Sequence, residues 1–435
     1  YRGECQISEA KSNWGKERQP LARVLIIADD LTGASDAGLQ FARYGWPVEV
    51  HLCPDAKKAE KGEDRALITV LSTDTRELHP TEAVKLLADW LKVWPVDTRD
   101  TVFKKIDSTL RGNIGAEIEF LLSTKLFAGA VVIPAYPAIG RKTVGGQHSV
   151  YDVPLHKTEF AGGVALQGTS NLIEIIAHRM TYPVRQIGLE CIRGGGAAEA
   201  FRAARTNGLP VLCCDAEREE DIASAVRQLR ALNEPLLWVG SAGLAAALGE
   251  TLGQPTDIQR SAAPQPSASR IVVIAGSMSG VTRRQVSELE RARECTVWQL
   301  EPHELISPDS LTLPPITQQE EGILVLTTTA NRAGDPHQVA KGLSRLTARA
   351  FRAWQADGLV LTGGGTAVQV CLELGIEKLL VQAQVEEGIP LCVVPELGLP
   401  VVTKAGGFGS DRALVKAVDC LRQKHDEERV SCEGA

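Results

Sequence analysis

The sequence predicts an α/β protein with two three-layer domains, each built on a largely parallel sheet, and a cleft between them. Short apolar runs alternate with helical patterns along the chain, as in repeated βαβ units. The runs are apolar throughout, so we expect both faces of each sheet to be covered. A stretch with the composition of a linker, residues 253–269, separates two such series, and we place the domain boundary near residue 260.

Length and charge limit what the chain can do. Its 435 residues suffice for an N-terminal extension at 1–22, a first domain at 23–255 and a second domain at 270–425. A net charge of −7 at pH 7 argues against nucleic acid as a partner, because phosphate contacts need a basic surface. The ten cysteines form no Cys-x-x-Cys pair, so we expect free thiols. No apolar run reaches the length of a membrane span, so we expect a cytoplasmic protein without membrane contact.

Strand, loop and helix alternate in order through the first domain. The first strand, 23–28, leads through two aspartates into a helix at 34–44. The further strands predicted in this domain are 48–52, 66–71, 101–104, 128–133, 184–188, 210–214 and 236–239. Residues 134–168 break the pattern and are too long for a plain connection, so we expect a functional excursion. We expect its His148, Asp152 and His156 to make substrate or domain-closing contacts rather than to bind a metal.

Polar residues follow three strands of the first domain. Asp29 and Asp30 follow the first strand, Asp74 and Arg76 the third, and the cationic run 104–111 the fourth. Ligands of open parallel sheets bind outside the carboxyl ends of the strands. The run 104–111 holds three cations, and an arginine there suits a bidentate carboxylate contact. These strand ends therefore predict a pocket for an anion.

Glycine follows the strands of the second domain instead. The strands predicted there are 271–275, 296–300, 322–327, 358–361, 391–394 and 401–403. Glycine-rich turns occupy 275–280, 361–367 and 403–409. Glycine lets backbone amides approach a ligand closely, and helix N-termini favour anions. Three such turns in one domain indicate a cradle for nucleotide phosphates.

Several known site types have no counterpart in the sequence. We find no P-loop, no protein-kinase catalytic loop, no dinucleotide fingerprint after a strand, and no serine nucleophile elbow. Paired cysteine or His-Glu-x-x-His metal sites are also absent from the sequence, so we assign no metal ligands. Because the dinucleotide fingerprint is missing, a dehydrogenase on the same architecture is disfavoured.

Five runs occur in one order along the chain: ADDLTGA at 28–34, KKIDSTLRG at 104–112, PAYPAIGR at 134–141, GGGTA at 363–367 and KAGGFG at 404–409. Together they resemble the four-carbon acid sugar kinase family, over about residues 23–422. The resemblance implies a sugar-acid-binding first domain and a nucleotide-binding second domain. It implies ATP-dependent phosphorylation of the 4-hydroxyl of D-threonate, with D-erythronate or a 3-oxo-tetronate as alternatives.

Site residues follow from the resemblance position by position. The substrate-binding set, with Arg111 added from the cationic run, is Asp29, Arg76, Lys104, Lys105, Ile106, Asp107 and Arg111. The ATP-binding set is Ser277, Gly363, Gly364, Gly365, Thr366 and Gly407. Gly365 departs from the family, whose members usually carry an acid there. A non-catalytic sugar-acid or nucleotide sensor is therefore the competing hypothesis.

Phosphoryl transfer depends mainly on positioning and charge neutralisation, which leads to a mechanistic hypothesis. We expect Arg76 and either Lys104 or Lys105 to hold the substrate carboxylate. Asp30 or Asp107 would accept the hydroxyl proton, and Mg²⁺ would neutralise the ATP phosphates. Domain closure about the linker would bring the two ligands together. A homodimer is the default expectation for such an enzyme.

Overall fold

The computed structural model describes residues 23–54, 68–164, 167–254, 267–276, 279–329 and 335–422. Three sequence-based expectations lie outside these ranges: the extension at 1–22, the ATP contact of Ser277, and the centre of the linker near residue 260. The structural statements below refer to the described residues.

Strands and helices alternate as the sequence predicts. The strands are β1 Val24–Ala28, β2 Val48–His51, β3 Ile68–Ser72, β4 Thr101–Lys105, β5 Gly129–Ile133, β6 Arg141–Val144, β7 Gln147–Val150, β8 Val153–Pro154, β9 Val184–Ile187, β10 Val211–Cys214, β11 Leu236–Gly240, β12 Arg270–Ala275, β13 Thr296–Leu300, β14 Gly322–Thr328, β15 Gly358–Thr362, β16 Lys378–Glu386, β17 Ile389–Val394 and β18 Leu399–Lys404. The helices are α1 Leu31–Ala42, α2 Pro80–Val93, α3 Ile114–Ser123, α4 Leu172–Ala177, α5 Leu189–Arg193, α6 Ala197–Arg205, α7 Glu219–Arg230, α8 Ala242–Leu252, α9 Gly280–Ala292, α10 Pro336–Trp354, α11 Gly364–Glu373 and α12 Ala413–Arg422.

The fold is the predicted two-domain α/β type with mostly parallel strands. In the first domain the parallel order is β2-β3-β1-β4-β11-β5-β10-β9, and in the second it is β13-β14-β12-β15-β18. All five residues of β1 are buried, as expected for a strand covered on both faces. The carboxyl ends of the strands therefore form the edge at which ligands are expected.

The two sheets are joined into one, which the sequence did not predict. Strand β17 pairs antiparallel with both β18 and β16, and β16 pairs antiparallel with β2 of the first domain. The pairing places Leu379 opposite Val50 and completes a 15-stranded sheet. Sequence analysis assigned no strand at β16, whose sequence KLLVQAQVE has polar residues at several positions. In the structure these positions are half-buried or exposed.

Helix α1 lies at the junction of the two domains. Leu31 to Phe41 are all buried, although a helix on a protein surface normally buries one face only. The helix packs on β1, β2 and β3 of its own domain and on β16, β17 and α11 of the other. Gly38 explains the close fit, since a Cβ there would lie 2.8 Å from Val48 Cγ1 and 3.4 Å from Val381 Cγ2. The helix is therefore packed tightly against both domains.

The excursion at 134–168 contains a small antiparallel sheet of β6, β7 and β8. Asp215 anchors it by accepting bonds from the amides of Gly145 (2.8 Å) and Gly146 (3.0 Å) in the turn between β6 and β7. Among the described cysteines, free thiols are found at Cys191, Cys213, Cys214, Cys295, Cys371, Cys392 and Cys420. Among the described helices, none combines the length and the apolar composition needed to cross a membrane.

Candidate active site between the two domains

An aspartate pair and one arginine occupy the carboxyl ends of β1 and β3. Asp30 caps helix α1, accepting bonds from the Gly33 amide (2.9 Å) and the Thr32 hydroxyl (2.8 Å). Arg76 donates to both carboxylates: Nε and Nη2 to Asp29 at 3.0 and 2.8 Å, and Nη1 and Nη2 to Asp30 at 2.8 Å each. A guanidinium has five N–H groups, so one remains for a ligand. Arg76 therefore orients the aspartate pair, and its remaining N–H leaves the carboxylate contact that the sequence predicts as a prediction.

The charges of this cluster stabilise one another. Burial alone would raise the pKa of Asp29, but Arg76, Lys104 and Lys105 together hold that pKa below its ordinary value. Burial likewise disfavours the charged form of Arg76, yet Asp29 and Asp30 hold its pKa well above the usual value. Asp29 and Arg76 are therefore both charged, and they stabilise each other at the strand ends.

The two adjacent lysines of β4 have different surroundings. Lys104 is fully buried, and its Nζ lies 3.0 Å from Oε2 of buried Glu117 on α3. Lys105 is also buried, but its Nζ donates to the backbone carbonyl of Ile106 at 3.1 Å and has no carboxylate partner among the described residues. Lys105 faces Gly33, where a Cβ would lie 3.0 Å from Nζ. Of the two lysines, Lys105 is therefore the one whose charge is available at the site.

The loop after β4 contains the remaining predicted substrate residues. Arg111 Nε and the Thr109 hydroxyl both donate to one oxygen of Asp107. Although burial opposes ionisation, Arg111 and Arg76 hold the pKa of Asp107 well below its ordinary value. The Ile106 side chain is fully buried, so only its main chain can meet a ligand. The terminal nitrogens of Arg111 have no described hydrogen-bond partner; the guanidinium lies 5.6 Å from the centre of the Phe160 ring, and the side chain is one-third exposed.

Asp74 is a residue that sequence analysis noted at a strand end but did not assign to the site. Its backbone is left-handed, with φ of 52°, and its carboxylate accepts no hydrogen bond from a described atom. Burial raises the pKa of Asp74 to about 6, and the negative charge of Asp30 acts in the same direction. A carboxyl with these properties can accept a proton near neutral pH.

A cavity of about 240 Å³ lies beside Arg76. Gly112, the first turn of α3, His178 and Arg179 also line it. A ligand here would meet the amide end of a helix and cationic side chains, which suits an anionic group.

The glycine turn at 363–366 meets the aspartate pair across the domain boundary. Gly364 begins α11, and a Cβ there would lie only 2.3 Å from Oδ2 of Asp30. Gly276 packs as closely on the same turn, since its Cβ would lie 2.5 Å from the Thr366 hydroxyl. A Cβ on Gly365, in contrast, would meet no atom within 4 Å. Glycine is thus required at 364 for contact between the domains, whereas position 365 is open.

The second glycine loop, 404–409, contacts the excursion. Phe160 lies 3.9 Å from the position of a Cβ on Gly407, and the Phe408 ring lies 5.9 Å from the guanidinium of Arg141. Nearby, the Tyr136 hydroxyl donates to Glu387 at 2.5 Å. These contacts join the excursion to the second domain.

His148 has a structural position and does not face the site. It is fully buried; its Nδ1 lies 2.9 Å from the Thr143 hydroxyl and its Nε2 lies 2.8 Å from the carbonyl oxygen of Ser108. Burial lowers the pKa of His148 to about 4, so the ring is neutral at pH 7 and can donate one of these bonds. His148 therefore joins the excursion to the substrate loop. The described residues contain no group of three acidic, histidine or cysteine side chains arranged to hold a metal.

At this junction Gly364 of the predicted ATP-binding set meets Asp30, whereas the position of Ser277 is not described. Two family models match the chain. A family model described as a sugar-binding N-terminal domain matches residues 24–248, and one described as a nucleotide-binding C-terminal domain matches residues 272–414. The chain belongs to the four-carbon acid sugar kinase family.

Members of this family with curated names match along nearly their whole length. The D-threonate kinase of Salmonella typhimurium LT2 is 32% identical, over 93% of this chain and 99% of its own. The D-threonate kinase of Cupriavidus necator is 33% identical, over 92% of this chain and 98% of its own. Relatives named D-erythronate kinase and 3-oxo-tetronate kinase match at 26 to 28% identity.

The fold is shared with solved structures. A crystal structure of a Salmonella typhimurium LT2 protein described as a tRNA synthase superposes with a TM-score of 0.73 at 21% identity. The match covers 91% of this chain and 98% of that one. At this identity the likeness shows the fold alone, which is the two-domain architecture described above.

Proposed function

We propose that this protein is an ATP-dependent kinase that phosphorylates the 4-hydroxyl of a four-carbon sugar acid, with D-threonate as the leading substrate. The observation that carries the proposal is the contact between Asp30 and Gly364. It brings a carboxylate and cation cluster suited to an acid substrate against a glycine turn suited to phosphates. A kinase needs these two sites to adjoin, because phosphoryl transfer requires both ligands in line.

On the substrate side, Lys105 and Arg111 are the proposed cationic contacts. Lys105 has no described carboxylate partner, and Arg111 pairs with Asp107 through Nε only. Lys104, in contrast, is paired with Glu117. The free N–H of Arg76 supplies a third contact, and Asp29 and the main chain of Ile106 complete the set. The sugar acid would therefore be held by charge-assisted hydrogen bonds, which discriminate well between anionic and neutral sugars.

On the nucleotide side, the turns at 363–366 and 404–409 would hold the phosphates of ATP, with Ser277 as a further proposed contact. Their amides provide donors without bulky side chains. Mg²⁺ bound to ATP usually takes few ligands from a protein, and Asp30 is the carboxylate nearest to the turn. The ion would add positive charge beside the phosphates.

For the proton acceptor we favour Asp74 over the two aspartates that the sequence suggested. Asp30 already accepts bonds from Arg76, Thr32 and Gly33, and Asp107 is a weak base because of its low pKa. Asp74 has no such partners, and its pKa is about 6. The ideal base has a pKa near the working pH.

The choice of D-threonate rests on the names of the relatives at 32 and 33% identity. D-Erythronate and 3-oxo-tetronates remain the alternatives, and a non-catalytic sensor is the alternative that Gly365 favours. Use of ATP and the free thiols support a cytoplasmic location. The homodimer stays a prediction, which size-exclusion chromatography with light scattering would test.

A coupled assay of ADP release, run over D-threonate, D-erythronate, their L-isomers and 3-oxo-tetronates, tests the proposal. We expect ATP consumption to depend on the acid, with the highest kcat/KM for D-threonate and a product phosphorylated at O4. If ATP or an acid binds but no ADP is released with any of these acids, the result would instead support the sensor.

A further inference from the structure

Lys404, at the end of β18, is a buried lysine whose side chain has no role assigned by the sequence analysis or by the proposed function. Its side chain is 1% exposed. The Nζ atom lies 2.8 Å from the carbonyl oxygen of Ala405, 3.2 Å from that of Phe408 and 3.3 Å from that of Gly406. An ammonium has three N–H donors. All three have acceptors within the loop, so none is left for a bound ligand.

Side chains of helix α9 hold the same loop from a second side. The Thr282 hydroxyl donates to the Gly406 carbonyl at 2.9 Å. Gln285 Nε2 donates to the carbonyls of Phe408 and Ser410 at 3.0 and 2.9 Å. The carbonyl groups of the loop are therefore turned inward, toward Lys404 and α9.

This orientation determines where the amides of the loop point. In a planar trans peptide the N–H of one residue points opposite to the C=O of the residue before it. The amides of Gly406 and Gly407 therefore face away from Lys404, and they donate to no described backbone atom or side chain. Gly407 is exposed to solvent. Successive free amides of this kind bind anions.

No acid among the residues that the structure describes forms an ion pair with Lys404. The nearby acid on β16, Glu386, is engaged by Lys416 Nζ of α12 at 2.5 Å and by the Ser410 hydroxyl at 2.6 Å. Burial lowers the pKa of Lys404 to about 7, and Glu386 opposes this only in part. An anion bound at the loop amides would favour the ammonium form, because opposite charges stabilise each other.

We propose that Lys404 is a positioning residue of the nucleotide site: it draws the loop carbonyls inward, so that the Gly406 and Gly407 amides face a phosphate group of the nucleotide. The proposal rests on the proposed function, since it assigns a role within the same site.

The first test measures the affinity for Mg·ATP by calorimetry in wild type, Lys404→Met and Lys404→Gln. Methionine fills the space without donors, whereas glutamine keeps two. We expect Lys404→Met to raise Kd and the KM for ATP about tenfold or more, Lys404→Gln to have a smaller effect, and the KM for the acid to stay unchanged. Val401→Ala, at a buried position of the same strand, controls for general loss of stability. Wild-type affinity in Lys404→Met would overturn the proposal.

A second test uses the wild type and so does not depend on the folding of a variant. Mg·ATP is titrated at pH 8 in Tris and in HEPES, whose different ionisation enthalpies reveal proton exchange. We expect uptake of a large fraction of one proton, and none in Lys404→Met. No uptake by the wild type would contradict the coupling between the charge of Lys404 and the bound phosphate while leaving the kinase intact. Absence of ATP binding to the wild type would instead contradict the proposed function itself.

Discussion

Individual residues of the site are distinguished by their partners more than by their type. Lys104 and Lys105 are neighbours in β4, and the alternation of a strand sends their side chains to opposite faces. Sequence analysis could predict that one of them binds the acid, but not which one. The deciding partner, Glu117, lies on the following helix, and its approach depends on tertiary packing.

Replacing each lysine by methionine should separate these roles. Lys105→Met should raise the KM for the acid by about 10- to 100-fold with little change in stability, because it removes a charged contact. Lys104→Met leaves Glu117 buried without its counter-ion and should lower the free energy of unfolding by about 3–5 kcal/mol. Steady-state kinetics and urea unfolding measure both. The reverse pattern would show that Lys104 meets the substrate.

Asp74 should determine the acidic side of the pH profile. Its raised pKa of about 6 means that the base form is present above pH 6 and is lost as the pH falls through this value. In Asp74→Asn, kcat should fall by about 10²–10⁴-fold, and kcat/KM should no longer decline near pH 6. Asparagine tolerates the left-handed backbone, so the loop should keep its shape.

Asp36 provides a matched control for this prediction. It is a buried carboxyl of α1, and burial raises its pKa to about 6 as well. The pH profile of Asp36→Asn should retain the decline near pH 6. If the decline disappears in Asp36→Asn but persists in Asp74→Asn, the assignment of the base is wrong.

At the scale of elements, the start of helix α11 combines two demands on glycine. Sequence analysis predicted that the turn at 363–366 opens a helix and binds ATP, and the helix is confirmed. It could not predict that Gly364 touches Asp30, since the two residues are far apart in the chain. It did single out Gly365 as lacking the family's acid, and the open space there shows that a side chain would fit.

A substitution at Gly364 should lower kcat, whereas a substitution at Gly365 should be tolerated and raise stability. Gly364→Ala would place a methyl group against Asp30 and displace the turn, so kcat should fall by about 100-fold. Gly365→Asp adds an acid in the first turn of a helix and removes a flexible glycine, so stability should rise by about 0.5–1 kcal/mol. Thermal unfolding and kinetics with saturating ATP test both. Equal tolerance at the two positions would contradict the proposed domain contact.

For the whole molecule, the sequence predicted the number of domains and the parallel strands, because these follow from local patterns. It could not predict that β2 and β16 join the two sheets, because this is a pairing of distant edge strands. Because β2 and β16 are paired, a closing movement about the linker would have to occur without separating the two sheets. Since the contact of Asp30 with Gly364 exists alongside this pairing, we expect the joined sheet to persist during catalysis.

A disulfide across the joined sheet tests this expectation. Val50 and Leu379 are paired residues, and paired residues of antiparallel strands have Cα atoms about 4.5–5.5 Å apart, within the range of a disulfide. The double variant Val50→Cys and Leu379→Cys should keep its activity when oxidised, since the bond spans strands that stay together. Activity that is lost on oxidation and returns on reduction would show that the sheets must part during turnover.

The central claim is that one junction, at Asp30 and Gly364, brings a sugar acid and ATP together. A crystal structure of the wild type with D-threonate and a non-hydrolysable ATP analogue measures it directly. The account predicts that the γ-phosphorus lies about 3–3.5 Å from O4 of the acid, with the phosphates on the turns at 363–366 and 404–409. A nucleotide bound away from these turns, or an acid remote from Lys105 and Arg76, would contradict it.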